Sequence, residues 1–175
     1  MTAGAPAALT ILIHGDPRLR RPARPVAPDE DLGDLPARLL AGMRDHRGIG
    51  LAAPQLGDLR RVVAVSDPES GRSLVLVNPE LDETFGPPIP FEEGCLSFPG
   101  LYLTLLRPRG VAVRYREPDG GTRTLRDEGI LSRVIQHELD HLDGVLFIDH
   151  LPRWRRWWLA GRLRRLRRPP EGSSA

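Results

Sequence analysis

Two histidines, His137 and His141, stand four residues apart, and a glutamate, Glu138, follows the first. On a helix, residues i and i+4 lie about one turn apart on the same face, so both imidazoles can reach one metal ion. Glu138 falls about 100° around the helix from His137, placed to reach an open coordination position rather than the metal. Two histidines do not complete a catalytic site. A catalytic zinc-type ion takes three protein ligands and keeps a position for water, so a third ligand must come from elsewhere.

Downstream the chain offers little. The longer pattern HExxHxxGxxH is matched as far as Gly144, but Phe147 stands where the third histidine belongs, and a phenyl ring cannot ligate. Glu171 is the only later glutamate and lies in a polar tail, and His150 is a weak candidate. Upstream, Phe91–Gly100 reads FEEGCLSFPG, with the sole cysteine, Cys95, in a Gly-flanked, Pro-terminated turn. A thiolate is a strong ligand for zinc or ferrous iron, and Cys95, His137 and His141 would form a Cys-His₂ site with one open position. Taken singly, each has a plainer reading. Cys95 can be a small buried hydrophobe, the histidines a satisfied core or surface pair, and Glu138 an exposed helix residue. Gly48–Gly57, GIGLAAPQLG, can be a turn after a helix, or an extended segment facing a ligand, because glycine allows close backbone approach. It lacks the GxGxxG and Gly-Lys-Ser/Thr patterns of phosphate loops.

These residues need a scaffold. Leu9–Ile13 is a short apolar run suited to a first strand or extended arm, and Pro22, Pro25 and Pro28 keep the next segment irregular. From Asp31 to His46, Leu35, Leu39 and Met43 recur every four residues, which predicts an amphipathic helix stopped by Gly48. Val62–Val65 and Leu74–Val77 read as buried strands, the second ended by Asn78-Pro79. Val111–Tyr115 and Thr122–Leu125 flank Pro118-Asp119-Gly120-Gly121, a hairpin signal, and Asp127 can cap the following helix. That helix places His137 and His141 with Ile130 and Val134, and Leu131, Ile135, Leu139 and Leu142 opposite. Only a strip with Arg133, Gln136, Asp140 and Asp143 is polar, and a helix apolar on two sides is buried on two sides. The predicted class is α+β, with a central motif-bearing helix wrapped by antiparallel strands.

The 175 residues suffice for one domain with a real core. All 25 basic residues are arginine, so no lysine can act as a catalytic amine. One cysteine allows no internal disulfide, and the first residues lack the basic region of a signal peptide. A reducing cytoplasm is expected. Residues 152–175 hold eight arginines against one acid, whereas residues 1–151 hold 17 arginines against 22 acids. The expected division is a catalytic domain at 1–151 and a basic tail at 152–175. In that tail, Trp154, Trp157 and Trp158 gather on one side of a helical wheel, and Leu159, Leu163 and Leu166 roughly opposite, with Gly161 a candidate break. Two readings stay open: tryptophans packed on the body with solvated arginines, or a nucleic-acid contact through arginine–phosphate pairs and tryptophan stacking.

Three stretches in this order resemble the peptide deformylases: Gly48-Ile49-Gly50-Leu51-Ala52-Ala53-Pro54-Gln55, Glu93-Gly94-Cys95-Leu96-Ser97, and Gln136-His137-Glu138-Leu139-Asp140-His141. The likeness covers about residues 9–150; Arg47 and Tyr102, which flank the motifs, are positions where relatives vary. The resemblance implies the peptide deformylase fold and hydrolysis of the formyl group from the initiator methionine of nascent bacterial polypeptides. It implies one ferrous ion held by Cys95, His137 and His141, with zinc, nickel or cobalt able to substitute. A metal lowers the pKa of its water toward about 7, making hydroxide available as nucleophile, and Glu138 can take and return the proton. By carry-over, the Gln55 side chain and the Leu96 backbone N–H stabilise the oxyanion, and Ile49, Gly50 and Glu93 contact substrate. The tail is expected to meet ribosomal RNA. No DNA or membrane partner is expected, and a monomer is. The rival readings are a zinc peptidase, which leaves Cys95 and Gln55 without a role, and a closed structural site with His150 as fourth ligand.

Overall fold

The structure, a computed structural model, describes residues 9–166. Among them five strands form one antiparallel sheet in the order β1-β2-β3-β4-β5. These are β1 (Gly50–Ala52), β2 (Val62–Ser66), β3 (Ser73–Gly94), β4 (Tyr102–Arg116) and β5 (Thr122–Asp127). Helices α1 (Leu35–Asp45) and α2 (Ile130–Leu142) cover its two faces, and α3 (Arg153–Leu166) lies beyond.

The run Val62–Val65 is apolar throughout because both of its faces are covered. Val63 and Val65 pack with Leu131, Val134, Ile135 and Leu139 of α2, while Val62 and Ala64 pack with Leu35, Leu39 and Met43 of α1. Helix α2 touches β1, β2, β4 and β5, so the sheet curls around it. Even its polar strip is largely enclosed: Arg133 and Gln136 are buried. Asp127 accepts the N–H of Ser132 at 2.6 Å and of Gly129 at 2.9 Å, which satisfies donors at the helix start.

Helix α1 starts at Leu35, four residues later than the periodicity predicts, after Gly33 at φ 57. It ends in a Schellman turn: Gly48 N–H donates to Met43 O at 2.8 Å and Arg47 N–H to Arg44 O at 3.0 Å. The left-handed residue is Arg47, φ 54, not Gly48. Gly48 is kept small by Leu96, whose Cδ1 would lie 2.9 Å from an added Cβ.

Leu9–Ile13 forms no strand. It runs as an extended arm, with Leu12 N–H on Gln55 O and, just beyond, His14 N–H on Ser97 O, both 2.8 Å. The expected strand end at Asn78-Pro79 is wrong, because β3 continues to Gly94. Asn78, φ 49, bends the strand and ties it to Val26 through two 2.8 Å hydrogen bonds. Register shifts follow at Val77/Glu80, Leu81/Glu83 and Phe85/Pro88. Beyond Val77 the strand pairs with β4 alone. Every second N–H of such an edge points away from its partner, so Pro88 and Pro90, two apart, can sit there without breaking the ladder.

A third apolar cluster, around Phe98, Leu101, Leu105, Phe147 and Ile148, takes in Cys95 and the inward leucines of α3, Leu159, Leu163 and Leu166. The helix runs through Gly161 without a break. Its tryptophans face out, Trp154 at 62% exposure, Trp157 at 74% and Trp158 at 75%. Of the two open readings, the one that packs the tryptophans on the body does not hold: the leucines pack instead. No helix among the described residues is long and apolar enough to cross a membrane.

Candidate metal centre and active site

Helix α2 presents the His137 and His141 rings with centroids 5.0 Å apart. The turn after β3 brings Cys95 to them, with Sγ 3.2 Å from His141 Nε2. The three ligand atoms lie within 4.8 Å of one another, close enough to converge on one ion. The donor set fits a metal in a second way. His137 Nδ1 is held by Glu93 Oε2 at 3.0 Å, which fixes the ring and leaves Nε2 for coordination. Burial pushes the Cys95 thiol up, but His141 and hydrogen bonds from both histidines outweigh it and bring it down to about 5, so sulfur is offered as thiolate. His150 is elsewhere: its Nε2 meets Asp140 Oδ2 at 2.7 Å. Phe147, in the place of a third histidine, packs edge-on against His137 at 5.9 Å.

Glu138 is buried, and its Oε2 has no hydrogen-bond partner. Burial raises its carboxyl to about 7, against the opposing pull of His137 and His141. A carboxylate so placed can accept a proton near neutral pH and give it back. Gly50 makes room for it: an added Cβ would lie 2.2 Å from Glu138 Oε1 and 2.8 Å from Val134 Cγ1.

Gln55 is aimed by its own segment. Its Oε1 accepts Ala52 N–H at 2.8 Å, so Nε2 must turn the other way, to Ser97 Oγ at 3.1 Å and toward Cys95 Sγ at 3.7 Å. The amide therefore offers N–H donors beside the sulfur. Ile49, Gly50, Gln55, Leu96 and Glu138 all border one cavity of about 540 Å³, with His137 and Cys95 in its wall.

Glu93 also borders this cavity, and both of its carboxylate oxygens are engaged by neighbouring side chains. It pairs with Arg107 at 2.8 and 3.0 Å and with His137. Burial would raise it, yet these partners hold it at about 2. Arg107 was not singled out by the sequence, and Ser97 entered only as the last residue of the Glu93–Ser97 motif. Arg107 had a signal: in β4 it follows Leu103 and Leu105 at every second position, so it must point the same way as Leu105, into the core.

A buried thiolate–bis-histidine cluster with an adjacent carboxylate, at the floor of a cavity, is the machinery of a metal-dependent hydrolase. Comparisons agree and narrow the class. The polypeptide deformylase family profile matches residues 8–157, and the chain belongs to that family. A peptide deformylase of Picosynechococcus sp. is 46% identical over 142 residues, covering 78% of this chain and 75% of that protein. The structure of a peptide deformylase from Synechococcus elongatus, in complex with actinonin, superposes with TM-score 0.82 at 37% identity, over 92% of this chain and 90% of the other. That from Thermus thermophilus gives TM-score 0.83 at 38% identity, over 90% and 96%. The chain is thus an enzyme that removes the N-terminal formyl group from polypeptides.

Proposed function

We propose that Cys95, His137 and His141 hold a ferrous ion and that Glu138 is the general base and acid of deformylation. The observation that carries this is the buried, unpartnered Glu138 carboxylate beside the three donors. The ion, when held, supplies a Lewis acid and lowers the pKa of a water to about 7. Glu138 takes the proton of the attacking water and passes it to the departing methionine amine. The Gln55 Nε2–H and the Leu96 backbone N–H meet the charge that develops on the formyl oxygen. Ile49 and Gly50 pair with the substrate backbone, and Glu93 shapes the pocket wall while steadying His137. Formate release from formyl-Met-Ala-Ser by anaerobically purified protein tests this. Activity should vanish on chelation and return with ferrous ion; full activity in a metal-free sample would refute it. Iron-loaded protein should also lose activity in air as Cys95 oxidises, whereas zinc- or nickel-loaded protein should not.

The tail at 152–175 is proposed to guide the enzyme, acting as a monomer in the cytoplasm, to the ribosome, where formylated chains emerge. Support comes from the outward indoles and the exposed arginines of α3, suited to base stacking and phosphate contact. Deleting residues 160–175 should weaken co-sedimentation with bacterial ribosomes at physiological salt and leave tripeptide hydrolysis largely intact. Equal pelleting across a salt titration would leave the tail a structural role only.

A further inference from the structure

The three ligand residues come from two separate pieces of chain. Cys95 follows the end of β3, and both histidines belong to α2. Something must fix these pieces relative to each other, since a shift of either opens the site. The apolar contacts of α2 are mostly with β1, β2 and β4, not with the end of β3.

Arg107 of β4 spans the gap. Its Nε and Nη2 donate to the two oxygens of Glu93, at 2.8 and 3.0 Å. Its Nη1 pairs with Asp140 Oδ2 at 2.8 Å. Glu93 lies two residues before Cys95, and Asp140 lies directly before His141. Glu93 also holds the ring of His137. One buried guanidinium therefore grips the cysteine strand with one edge and the histidine helix with the other. Its planar fork allows this; a lysine ammonium on a single stem cannot reproduce both bidentate and lateral contacts. His150 Nε2 also hydrogen-bonds Asp140 Oδ2 at 2.7 Å.

We propose that Arg107 is a positioning residue that locks the cysteine-bearing end of β3 to the histidine-bearing helix α2. It touches neither metal nor substrate and acts through Glu93 and Asp140. This rests on the Cys95-His137-His141 site proposed above. The arrangement also supplies a handle for testing. A second cavity, of about 330 Å³, is bordered by Arg107 and Asp140 together with Arg61 and Leu81. It shares no lining residue with the substrate cavity. A small guanidinium compound can therefore reach the place of the missing side chain without blocking substrate. Glu93 keeps a neighbouring cation in Arg133, whose Nη1 is 3.6 Å away, which favours folding of the variants.

The experiment compares wild type, Arg107→Ala and Arg107→Lys loaded with zinc or cobalt. It measures the rate of zinc loss to a chelator, the cobalt–thiolate absorption, and kcat and KM separately. Arg107→Ala should release zinc about 10–100-fold faster, alter the cobalt spectrum, and lower kcat more than it changes KM. Ethylguanidinium should slow the release again, an effect that a purely structural role would not show. Arg107→Lys should fall between, and it decides the matter if the alanine variant does not fold. Wild-type release rates and an unchanged cobalt spectrum in either variant would overturn the proposal. A wild-type protein that binds no stoichiometric ion would instead overturn the metal-site reading beneath it.

Discussion

Helix α2 buries eleven of its 13 residues, and α3, with 14, buries none. Inside α2 several polar groups have definite partners: Ser132 Oγ donates to Arg109 O at 3.0 Å, Gln136 Nε2 to Pro108 O at 3.1 Å, and His137 is held by Glu93. Glu138 Oε2, Arg133 Nη1 and His141 Nδ1 are buried without a hydrogen-bond partner, and of the three only Glu138 offers a carboxylate oxygen beside the ligand cluster. Evolution rarely leaves such a group unless its desolvation is useful. In α3 the logic is reversed. Its leucines are half-buried against the body, while indoles and guanidinium groups lie in water. One helix keeps an unpartnered carboxylate in its buried interior, and the other leaves its largest apolar side chains in water.

The contrast can be broken most severely at the ligands. Alanine at Cys95, His137 or His141 should abolish both metal content and turnover, because a three-ligand site has none to spare. Wild-type metal stoichiometry in Cys95→Ala, read by elemental analysis, would remove the cysteine from the site. Glu138→Gln should keep the ion but cost about 10²–10⁴-fold in kcat, since the near-isosteric amide cannot accept a proton. A variant within about threefold of wild type would deny it that role. Gly50→Ala strikes the site directly. The new methyl would lie 2.2 Å from Glu138 Oε1 and 2.8 Å from the buried Val134 Cγ1, so kcat should fall by about 10²-fold, the scale of a 1 Å misplacement, with some loss in Tm from the Val134 contact. In α3 the effects are smaller and depend on direction. Leu163→Asp should destabilise by about 1–3 kcal/mol through burial of an unpaired carboxylate. Trp157→Ala with Trp158→Ala should stay within about 0.5 kcal/mol and leave tripeptide turnover unchanged. Denaturant titration distinguishes the two outcomes.

The sequence revealed α2 and its chemistry because both obey local rules. A 3.6-residue period, an acid at the helix start and three short motifs need no knowledge of distant contacts. The ligand triad required one inference across the chain, from His137 and His141 back to Cys95, and the structure brings those three together. Three features were hidden because they depend on long-range pairing. Asn78-Pro79 looks like a strand end until β4 is seen alongside, leaving the outer edge of β3 free to carry prolines. The inward face of α3 could not be chosen from its wheel, where arginines appear on all sides; the apolar surface of Phe98, Leu101 and Leu105 selects the leucines. Arg107 looks like a surface charge until Glu93 and Asp140, distant in sequence, meet it in the core.

The placement of indole has a spectroscopic consequence. The chain has three tryptophans, all on the outer side of α3. Its intrinsic emission therefore comes almost wholly from one helix and should have the long-wavelength maximum of indole in water while the protein is native. Unfolding of the sheet would change that signal little, so melts followed by fluorescence and by circular dichroism can diverge without any populated intermediate, a situation in which coincident transitions no longer serve as the test of two-state behaviour. The same arrangement makes the molecule a label-free reporter. Covering α3 with a partner should shift the emission to shorter wavelength and shield it from iodide, while the metal site contributes no tryptophan emission of its own.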